Sequence, residues 1–104
     1  MARDTPFFQT FQWDEGKRQR VLERRRSDFL DAIRIFAGPV LIVPSARRGE
    51  SRWLAVGLVD GIEMTVIYTV RDGDCRVITA RRARHDERQN YYQYLTEGSD
   101  PSEG

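Results

Sequence analysis

The chain has little of the chemistry that redox and metal proteins use. It contains one cysteine, Cys75, and one histidine, His85, in 104 residues. A single cysteine excludes an internal disulfide and is typical of a reducing cytosol. One cysteine and one histidine are also too few for a zinc site of the usual composition. We therefore expect no metal and no cofactor, with Cys75 as buried filler and His85 exposed and without a role.

Long apolar runs are also missing. No stretch approaches the roughly 20 apolar residues that a membrane helix needs, and residues 1–6 lack the apolar run of a secretory signal. Hydrophobic residues make up 39% of the chain and charged residues 32%, which suffices for one modest core under a polar surface. These features predict a soluble cytoplasmic protein without membrane contact. We expect a single domain over residues 1–96 and a flexible acidic tail over residues 97–104.

Neither charge sign dominates, since the net charge is +1, but the basic residues are clustered. Residues 17–26 contain one lysine and five arginines against the single acid Glu23. A second basic group follows at Arg81, Arg82, Arg84 and Arg88. Because local patches matter more to an anionic partner than net charge does, the pattern favours a partner that carries phosphate.

Periodicity and turn signals predict both helices and strands. Asp14 is a candidate N-cap for a surface helix over residues 17–26, and Ser27 for a second helix whose core-facing stripe is Phe29, Ala32, Ile33 and Phe36. A final helix is predicted over residues 84–95. Strands are predicted over residues 7–13, 40–43, 52–59, 62–70 and 75–81, the last three joined by the tight turns Asp60-Gly61 and Asp72-Gly73.

The second turn also predicts a pairing register. A two-residue loop at Asp72-Gly73 pairs Arg71 with Asp74. Counting back along both strands then places Tyr68 opposite Val77 and Met64 opposite Arg81. Arg81 is thus expected on the same face of the sheet as Tyr68, unless a one-residue slip reverses the faces.

The most informative segment is the block from Arg76 to Ala83, which reads Arg-Val-Ile-Thr-Ala-Arg-Arg-Ala. It predicts an apolar strand that ends in two adjacent arginines, Arg81 and Arg82, just before a charged helix. Guanidinium groups stay charged at any working pH and donate in a planar fork that fits two phosphate oxygens. The C-terminal end of this strand is therefore a candidate phosphate-binding site.

The order and spacing of several segments resemble the BrnT toxin family, over roughly residues 11–92. The matching pieces are Trp13-Asp14 with Lys17, Phe29 and Ala32, Phe36 and Pro39, Gly49-Glu50 with Arg52, Gly57, Tyr68-Thr69, the Arg76–Ala83 block, Glu87-Arg88 and Tyr91. The resemblance implies a RelE-like α+β fold with an antiparallel sheet, two N-terminal helices and a C-terminal helix. It implies a translation-inhibiting ribonuclease of a type II toxin–antitoxin pair. It also implies neutralisation by the DNA-binding antitoxin BrnA, so that DNA is contacted only through the antitoxin.

The chain departs from that family between Trp13 and Phe29. The family has an asparagine, then a Lys-His pair and a glycine, where this chain has Val21, Arg24-Arg25 and Arg26. An arginine keeps the phosphate contact but cannot transfer a proton at neutral pH, as a histidine can. Either catalysis never needed the histidine, or this chain is a weaker nuclease.

Metal-independent RNA cleavage needs a base for the 2′-hydroxyl, donors for the crowded phosphorane and a proton for the leaving oxygen. The expected catalytic residues are the donors Arg24, Arg25, Arg52 and Arg81, with Glu50 as the base by family position. Tyr68 and Tyr91 are expected to stack on splayed bases, and Arg76 and Arg82 to help bind the RNA. The leaving oxygen would take its proton from Tyr68 or a water molecule.

Several alternatives stay open. Arg24 to Arg26 also suit a helix C-terminus electrostatically, Arg81 can pair with Glu87, and Glu50 can balance neighbouring arginines. Tyr68 and Tyr91 can be core aromatics. At the level of function, the rivals are an RNA- or partner-binding relative with weakened catalysis and a purely structural interaction protein.

Overall fold

The fold was analysed in a computed structural model that describes residues 8, 10–25, 28–45 and 51–98, with only the backbone of Arg25 and Gly98. These residues form five strands, three α-helices and a 3₁₀ segment. In chain order they are β1 Phe11–Trp13, α1 Glu15–Arg25, α2 Phe29–Ala32, the 3₁₀ segment Ile33–Ala37, β2 Leu41–Pro44, β3 Trp53–Val59, β4 Ile62–Arg71, β5 Asp74–Arg82 and α3 His85–Gly98. The predicted α+β class is confirmed, and strands β2 to β5 begin and end within one residue of their predicted bounds.

The strands form one sheet in the order β1-β5-β4-β3-β2. Strands β2 to β5 are antiparallel neighbours, whereas β1 runs parallel to β5, with Phe11 opposite Cys75 and Trp13 opposite Val77. The sheet is therefore mixed, and the prediction of a wholly antiparallel sheet was wrong for β1. No hairpin joins β1 to β5, so no local turn dictates its direction.

The two hairpin turns are confirmed. Asp60 and Gly61 have φ values of 51° and 81°, and Asp72 and Gly73 have values of 55° and 84°. Positive φ at both central residues is the requirement of the tight turn that follows the natural twist of a hairpin. The two Asp-Gly pairs therefore set the starting registers of β3 with β4 and of β4 with β5.

Asp14 caps α1 as predicted, since its Oδ1 accepts a hydrogen bond from the backbone N–H of Lys17 at 3.2 Å. The N-cap of α2 is Asp28, whose side chain accepts from the N–H of Leu30 at 3.1 Å. The predicted cap, Ser27, lies outside the described residues. Asp28 lies one residue later in the chain and is an N-cap residue as favourable as serine.

The helix that begins at Phe29 tightens into the 3₁₀ segment after one turn, which changes the side chains that face the core. Three residues complete a 3₁₀ turn, so residues three apart align along one side. Phe29, Ala32 and Ile35 are accordingly all fully buried. Ile33 was predicted in this stripe but is only half-buried, because the prediction assumed 3.6 residues per turn throughout.

Each face of the sheet carries a packed cluster. We call the face under α2 and the 3₁₀ segment the back face; its cluster includes Phe29, Ile35, Val66, Tyr68 and Val77. The front face is the one that α3 covers, where Val56, Ala83 and Tyr91 are buried and Leu41, Leu54 and Leu95 pack around them. Cys75 is fully buried at the back face, as predicted, and burial raises the pKa of its thiol to about 12.

A β-bulge at Ile78 shifts the register between β4 and β5. Tyr68 lies opposite Val77, as predicted, but Ile67 lies opposite Thr79, so Ile78 is an extra residue on β5. Beyond the bulge Arg81 faces Thr65, not Met64. The predicted placement of Arg81 on the face of Tyr68 was therefore wrong, because one additional residue turns every later side chain of β5 to the other face.

Gly57 allows the 3₁₀ segment to lie directly on β3. A Cβ atom at this position would lie 2.7 Å from the Cβ of Ile35 and 3.1 Å from Cγ1 of Val40. Both neighbours are buried, and a contact of 2.7 Å would force one of the layers to shift, so this glycine permits the close approach of the two layers.

We expect Gly57→Ala to lower the free energy of unfolding by about 1–3 kcal/mol, as overpacking of a core does. Urea denaturation monitored by circular dichroism measures this difference. Gly38→Ala is the matched control, since nothing lies within 4 Å of its added Cβ and its extended backbone suits alanine. Equal unfolding midpoints for the two variants would contradict the expectation.

Candidate functional site

Two rows of side chains cross the front face from β2 to β5. Cross-strand pairing defines the first, which we call the covered row, as Leu41, Val56, Thr65 and Arg81. The same pairing defines a second row, which we call the open row, as Val43, Leu54, Ile67 and Thr79. Opposed side chains on neighbouring strands lie about 5 Å apart, so each row is continuous across four strands. Helix α3 packs over the covered row, whereas the members of the open row remain half-buried or exposed.

Arg81, at the β5 end of the covered row, is held by Glu87 of α3. Its two terminal nitrogens donate to the two carboxylate oxygens at 2.7 and 2.8 Å. Only 13% and 11% of the two side chains are exposed. Glu87 also accepts from the hydroxyl of Thr65 at 2.9 Å and from the backbone N–H of Arg84 at 2.8 Å. The pair therefore fastens the start of α3 to the sheet and caps the helix.

The surroundings of Glu87 keep it ionised. Burial alone would raise its pKa, but the hydrogen bonds from Arg81, from the backbone of Arg84 and from Thr65 outweigh burial and lower the pKa to about 2. The hydrogen bonding between Arg81 and Glu87 is also the main cause that raises the pKa of Arg81. The Arg81 guanidinium is thus committed to a partner within the protein.

This pair predicts a specific acid sensitivity. Because the pKa of Glu87 falls from 4.5 to about 2 on folding, its contribution is complete above pH 4.5 and is lost as the pH falls towards 2. Wild-type protein should lose up to about 3 kcal/mol of unfolding free energy over this range through Glu87. Glu87→Gln should be less stable at pH 7 and should lack this part of the pH dependence.

Urea denaturation at pH 7, 5 and 3 measures the difference. Glu97→Gln, at an exposed glutamate of the same helix, is the control and should follow wild type. Parallel pH profiles for wild type and Glu87→Gln would show that the pair contributes no pH-dependent stability.

Helix α1 forms a wall beside the open row, opposite α3. Strand β1 ends at Trp13, beside Val77, and the chain continues as α1 along the same margin of the sheet. Val21 is buried in the back-face core. Lys17, Arg20 and Arg24 are three and four residues apart, so they lie on one side of the helix.

Arg18 fixes the position of this wall. Its guanidinium donates to both carboxylate oxygens of Asp28 at 2.7 and 3.1 Å and to Glu15 at 2.7 Å. The hydrogen bonds from Arg18 are the main cause that lowers the pKa of Asp28. Since Asp28 also caps α2, one charged group ties the two N-terminal helices together.

A cleft of about 340 Å³ lies between α1 and the front face. Its lining residues are Lys17, Arg20, Val21 and Arg24 of α1, Ile67, Ile78 and Thr79 of the sheet, and Arg52 just before β3. The bulge brings both Ile78 and Thr79 to this face, although they are consecutive. Four cations surround an apolar floor, and the described lining residues include no carboxylate and no imidazole. Such a cleft suits an anion that also carries a flat apolar group.

The expected catalytic arginines converge in part. Arg24 and Arg52, which are distant in sequence, line the cleft together. Arg81 lies on the same face, two residues beyond Thr79, but outside the lining and bound to Glu87. The side chain of Arg25 and the whole of Glu50 lie outside the described residues.

The expected RNA-binding residues lie outside the cleft lining. Arg76 is half-buried on the front face opposite Thr69, whereas Arg82 is exposed and opposite Met64, on the other side of β5 from Arg81. Tyr68 packs edge-to-face against Phe8 and Phe36 in the back-face core, and burial raises the pKa of its hydroxyl.

Tyr91, a residue of α3, is buried on the side of this helix that faces the sheet. Its hydroxyl donates a hydrogen bond to the carbonyl oxygen of Pro39 at 2.9 Å. Both tyrosines therefore occupy the core positions that were the alternative to base stacking. His85 is exposed, as predicted.

Sequence reasoning assigned no role to Lys17, Arg20 and Thr79, although they line the cleft. The helical spacing of Lys17, Arg20 and Arg24 was a usable signal, because it sets three cations on the side of α1 next to the buried Val21. Thr79 had no such signal, since its position depends on the bulge.

Comparison with known proteins identifies the class. The sequence profile of the family described as "Ribonuclease toxin, BrnT, of type II toxin-antitoxin system" matches residues 13–87. This range is more than half of the chain and contains every described residue that lines the cleft. The chain therefore belongs to the BrnT family of ribonuclease toxins.

A solved structure is also similar, namely the 1.1 Å crystal structure of the Brucella abortus ribonuclease toxin BrnT. The two chains share 28% sequence identity and a TM-score of 0.61, over 73% of this chain and 97% of that chain. No curated protein matches the sequence significantly. Within the described part of the chain, no helix combines the length and apolarity needed to cross a bilayer.

Proposed function

We propose that the chain is an endoribonuclease toxin that binds RNA in the cleft between α1 and the sheet and cuts it without a metal ion. The observation that carries the proposal is the convergence of Lys17, Arg20, Arg24 and Arg52 around one cavity. Guanidinium groups spread over two distant segments can contact adjacent phosphates of one strand. The apolar side chains of Ile67 and Ile78 offer a surface for an unstacked base.

The cleavage is an internal transesterification. A base removes the 2′-hydroxyl proton, the 2′-oxygen forms a bond to phosphorus, and the bond from phosphorus to the 5′-oxygen breaks. The leaving oxygen takes a proton, so the products are a 2′,3′-cyclic phosphate and a 5′-hydroxyl. We assign Arg24 and Arg52 to the phosphorane, where a preorganised donor contributes about 3 kcal/mol. Glu50 remains our proposed base, and Arg25 a further donor, on the strength of family position.

Lys17 is the proposed proton donor to the leaving oxygen. The other three cations that line the cleft are arginines, which do not release a proton in this pH range. Tyr68, the earlier candidate, is buried in the core on the other face.

Arg81 has a positioning role in this proposal. Its bidentate pair with Glu87 holds β5 and α3 in place, and Thr79 lies two residues before it on the same face. Arg76 and Arg82 remain candidates for outer phosphate contacts. In this arrangement the chemistry is assigned to the cations that line the cleft, whereas the Arg81–Glu87 pair stabilises the fold.

The proposed partners are RNA as substrate and a cognate BrnA-like antitoxin that neutralises the toxin, with DNA reached only through that antitoxin. We place the toxin in the cytoplasm, where RNA is available, and propose that the fold is RelE-like. A type II toxin–antitoxin family supports an RNA target and an antitoxin partner in general.

A second candidate is an RNA-binding relative with weakened catalysis. One observation favours it: the described lining of the cleft has no carboxylate or histidine to act as a base. This candidate predicts RNA binding that weakens steeply with salt, because bound phosphates release counterions, and no cleavage at any salt concentration.

Arg24→Gln and Arg52→Gln should each lower the rate of RNA cleavage about 100-fold, the usual effect of removing one transition-state donor. The assay uses purified protein, single-stranded RNA and a chelator. Arg71→Gln, at an exposed position before the β4–β5 turn, is the control and should leave the rate unchanged. Intact RNA with wild-type protein, together with salt-sensitive binding, would replace the nuclease by the second candidate.

Lys17→Arg keeps the positive charge but removes the transferable proton. We expect RNA binding within about twofold of wild type and a cleavage rate lower by about 100-fold, as for loss of a general acid. Arg20→Lys is the matched exchange in the opposite direction and should keep most of the rate. Fluorescence anisotropy measures binding, and gel analysis of labelled RNA measures cleavage. A Lys17→Arg variant with full activity would remove Lys17 from the proton transfer.

A further inference from the structure

A second concavity of about 460 Å³ lies on the same face, between α3 and strands β2 and β3. Its apolar side consists of Leu41, Val43, Leu54 and Val56. Its other side is α3, which contributes the carboxylates Asp86, Glu87 and Glu97. No lysine, arginine or histidine occurs among the described residues that line it. We call it the acidic groove.

The acidic groove and the basic cleft share one floor. Val43 and Leu54 of the open row line the groove, whereas Ile67 and Thr79 of the same row line the cleft. Leu54 and Ile67 are direct cross-strand partners, which places them about 5 Å apart. The open row therefore passes from an acidic wall to a basic wall without interruption.

The groove borders the β2 edge of the sheet. Within the described residues β2 is the last strand in the sheet order, and Val43 on the front face of this strand is 39% exposed. An apolar floor at an exposed edge favours a partner that buries it. Acidic groups on the helical wall select the charge of that partner, because they repel phosphate and attract lysine and arginine.

We infer that the acidic groove docks an amphipathic helix of a partner protein, with apolar side chains on Val43 and Leu54 and basic side chains towards Asp86 and Glu97. Helices on a common surface pack about 8–10 Å apart, so such a helix lies beside α3 and completes the layer over the front face. The identity of the partner rests on the proposed function, because the partner of a toxin of this kind is its antitoxin.

A helix docked in the acidic groove also blocks the basic cleft, which explains how the antitoxin neutralises the toxin. A helix with its side chains is about 10–12 Å in diameter, which exceeds the distance from Leu54 to Ile67. A helix seated on Leu54 therefore overlaps the floor of the cleft and excludes RNA, without a contact to Arg24 or Arg52. The basic side of the docked helix faces α3 and lies across the open row from the cations of α1. The docked helix therefore makes no pairs with the phosphate-binding atoms of those cations.

The test uses a synthetic probe and no RNA. A helical peptide of about 18 residues, with a leucine stripe flanked by lysines, is titrated into the labelled full-length protein and followed by methyl NMR. A scrambled peptide of equal composition is the control. The stripe peptide should shift the methyl signals of Leu41, Val43, Leu54 and Val56, and the scrambled peptide should not.

Three variants, one of them a control, localise the site. Val43→Asp should weaken binding of the stripe peptide about tenfold, the value of one buried valine. Val70→Asp is the control and should leave binding unchanged, since this valine lies on the opposite face of the sheet and is 47% exposed, against 39% for Val43. Glu97→Lys should also weaken binding, and a lysine in the last turn suits the helix dipole, so the fold is retained.

Several outcomes would overturn the inference. Equal binding of the scrambled peptide would show attraction by charge alone. Equal affinity of wild type and Val43→Asp would place the site elsewhere. Sedimentation that reveals a dimer abolished by Val43→Asp would assign the groove to a second copy of the chain. An RNA oligonucleotide that shifts the groove methyls would assign it to RNA. Because docking is measured without RNA, failure of the nuclease proposal leaves this result unaffected.

Discussion

The extra residue at Ile78 is the constraint on which the functional face depends. It turns the second half of β5 over, so that Thr79 and Arg81 face the front of the sheet and Ala80 faces the back. Without it, Arg81 would lie opposite Met64 on the back face, where Arg82 now lies, and could not reach Glu87. With it, Arg81 meets Glu87, and two consecutive residues reach the cleft. Bulges commonly re-aim side chains next to functional sites in this way.

The two rows on the front face differ in what they contribute. The covered row stabilises the fold, and the open row forms the floor of the cleft and of the groove. The covered row ends in the Arg81–Glu87 pair, which is bidentate, shielded from water and completed by Thr65. Among the described residues no helix covers the open row, which lies between the cations of α1 and the acids of α3. The covered row thus provides a rigid base directly beside a more accessible surface.

Much of the fold followed from local signals. The Asp-Gly turns, the Asp14 cap and the apolar runs of β2 to β5 all have a short-range physical cause, and the structure confirms them. The direction of β1 and the 3₁₀ segment did not follow, because each depends on packing between distant parts of the chain. Family membership was predicted from the order of the segments and is confirmed.

The site was harder to predict for the same reason. Arg24 and Arg52 were correctly brought together, but no turn or periodicity in β5 reveals the inserted residue at Ile78. That one omission moved Arg81 to the wrong face. The helical spacing of Lys17 and Arg20 contained enough information to add them to the site, had the buried Val21 been taken as the reference point for the helix.

The exposed side of α1 has a consequence for how toxins of this kind diverge. The helix is anchored by Val21 and by the Arg18–Asp28 pair, and the cations that reach the cleft take no part in either contact. An exchange among the cations of this wall therefore leaves both anchoring contacts in place. The positions that hold α1 on the sheet are separate from the positions that line the cleft, so the charge and shape of the cleft can vary between relatives while the helix keeps its place.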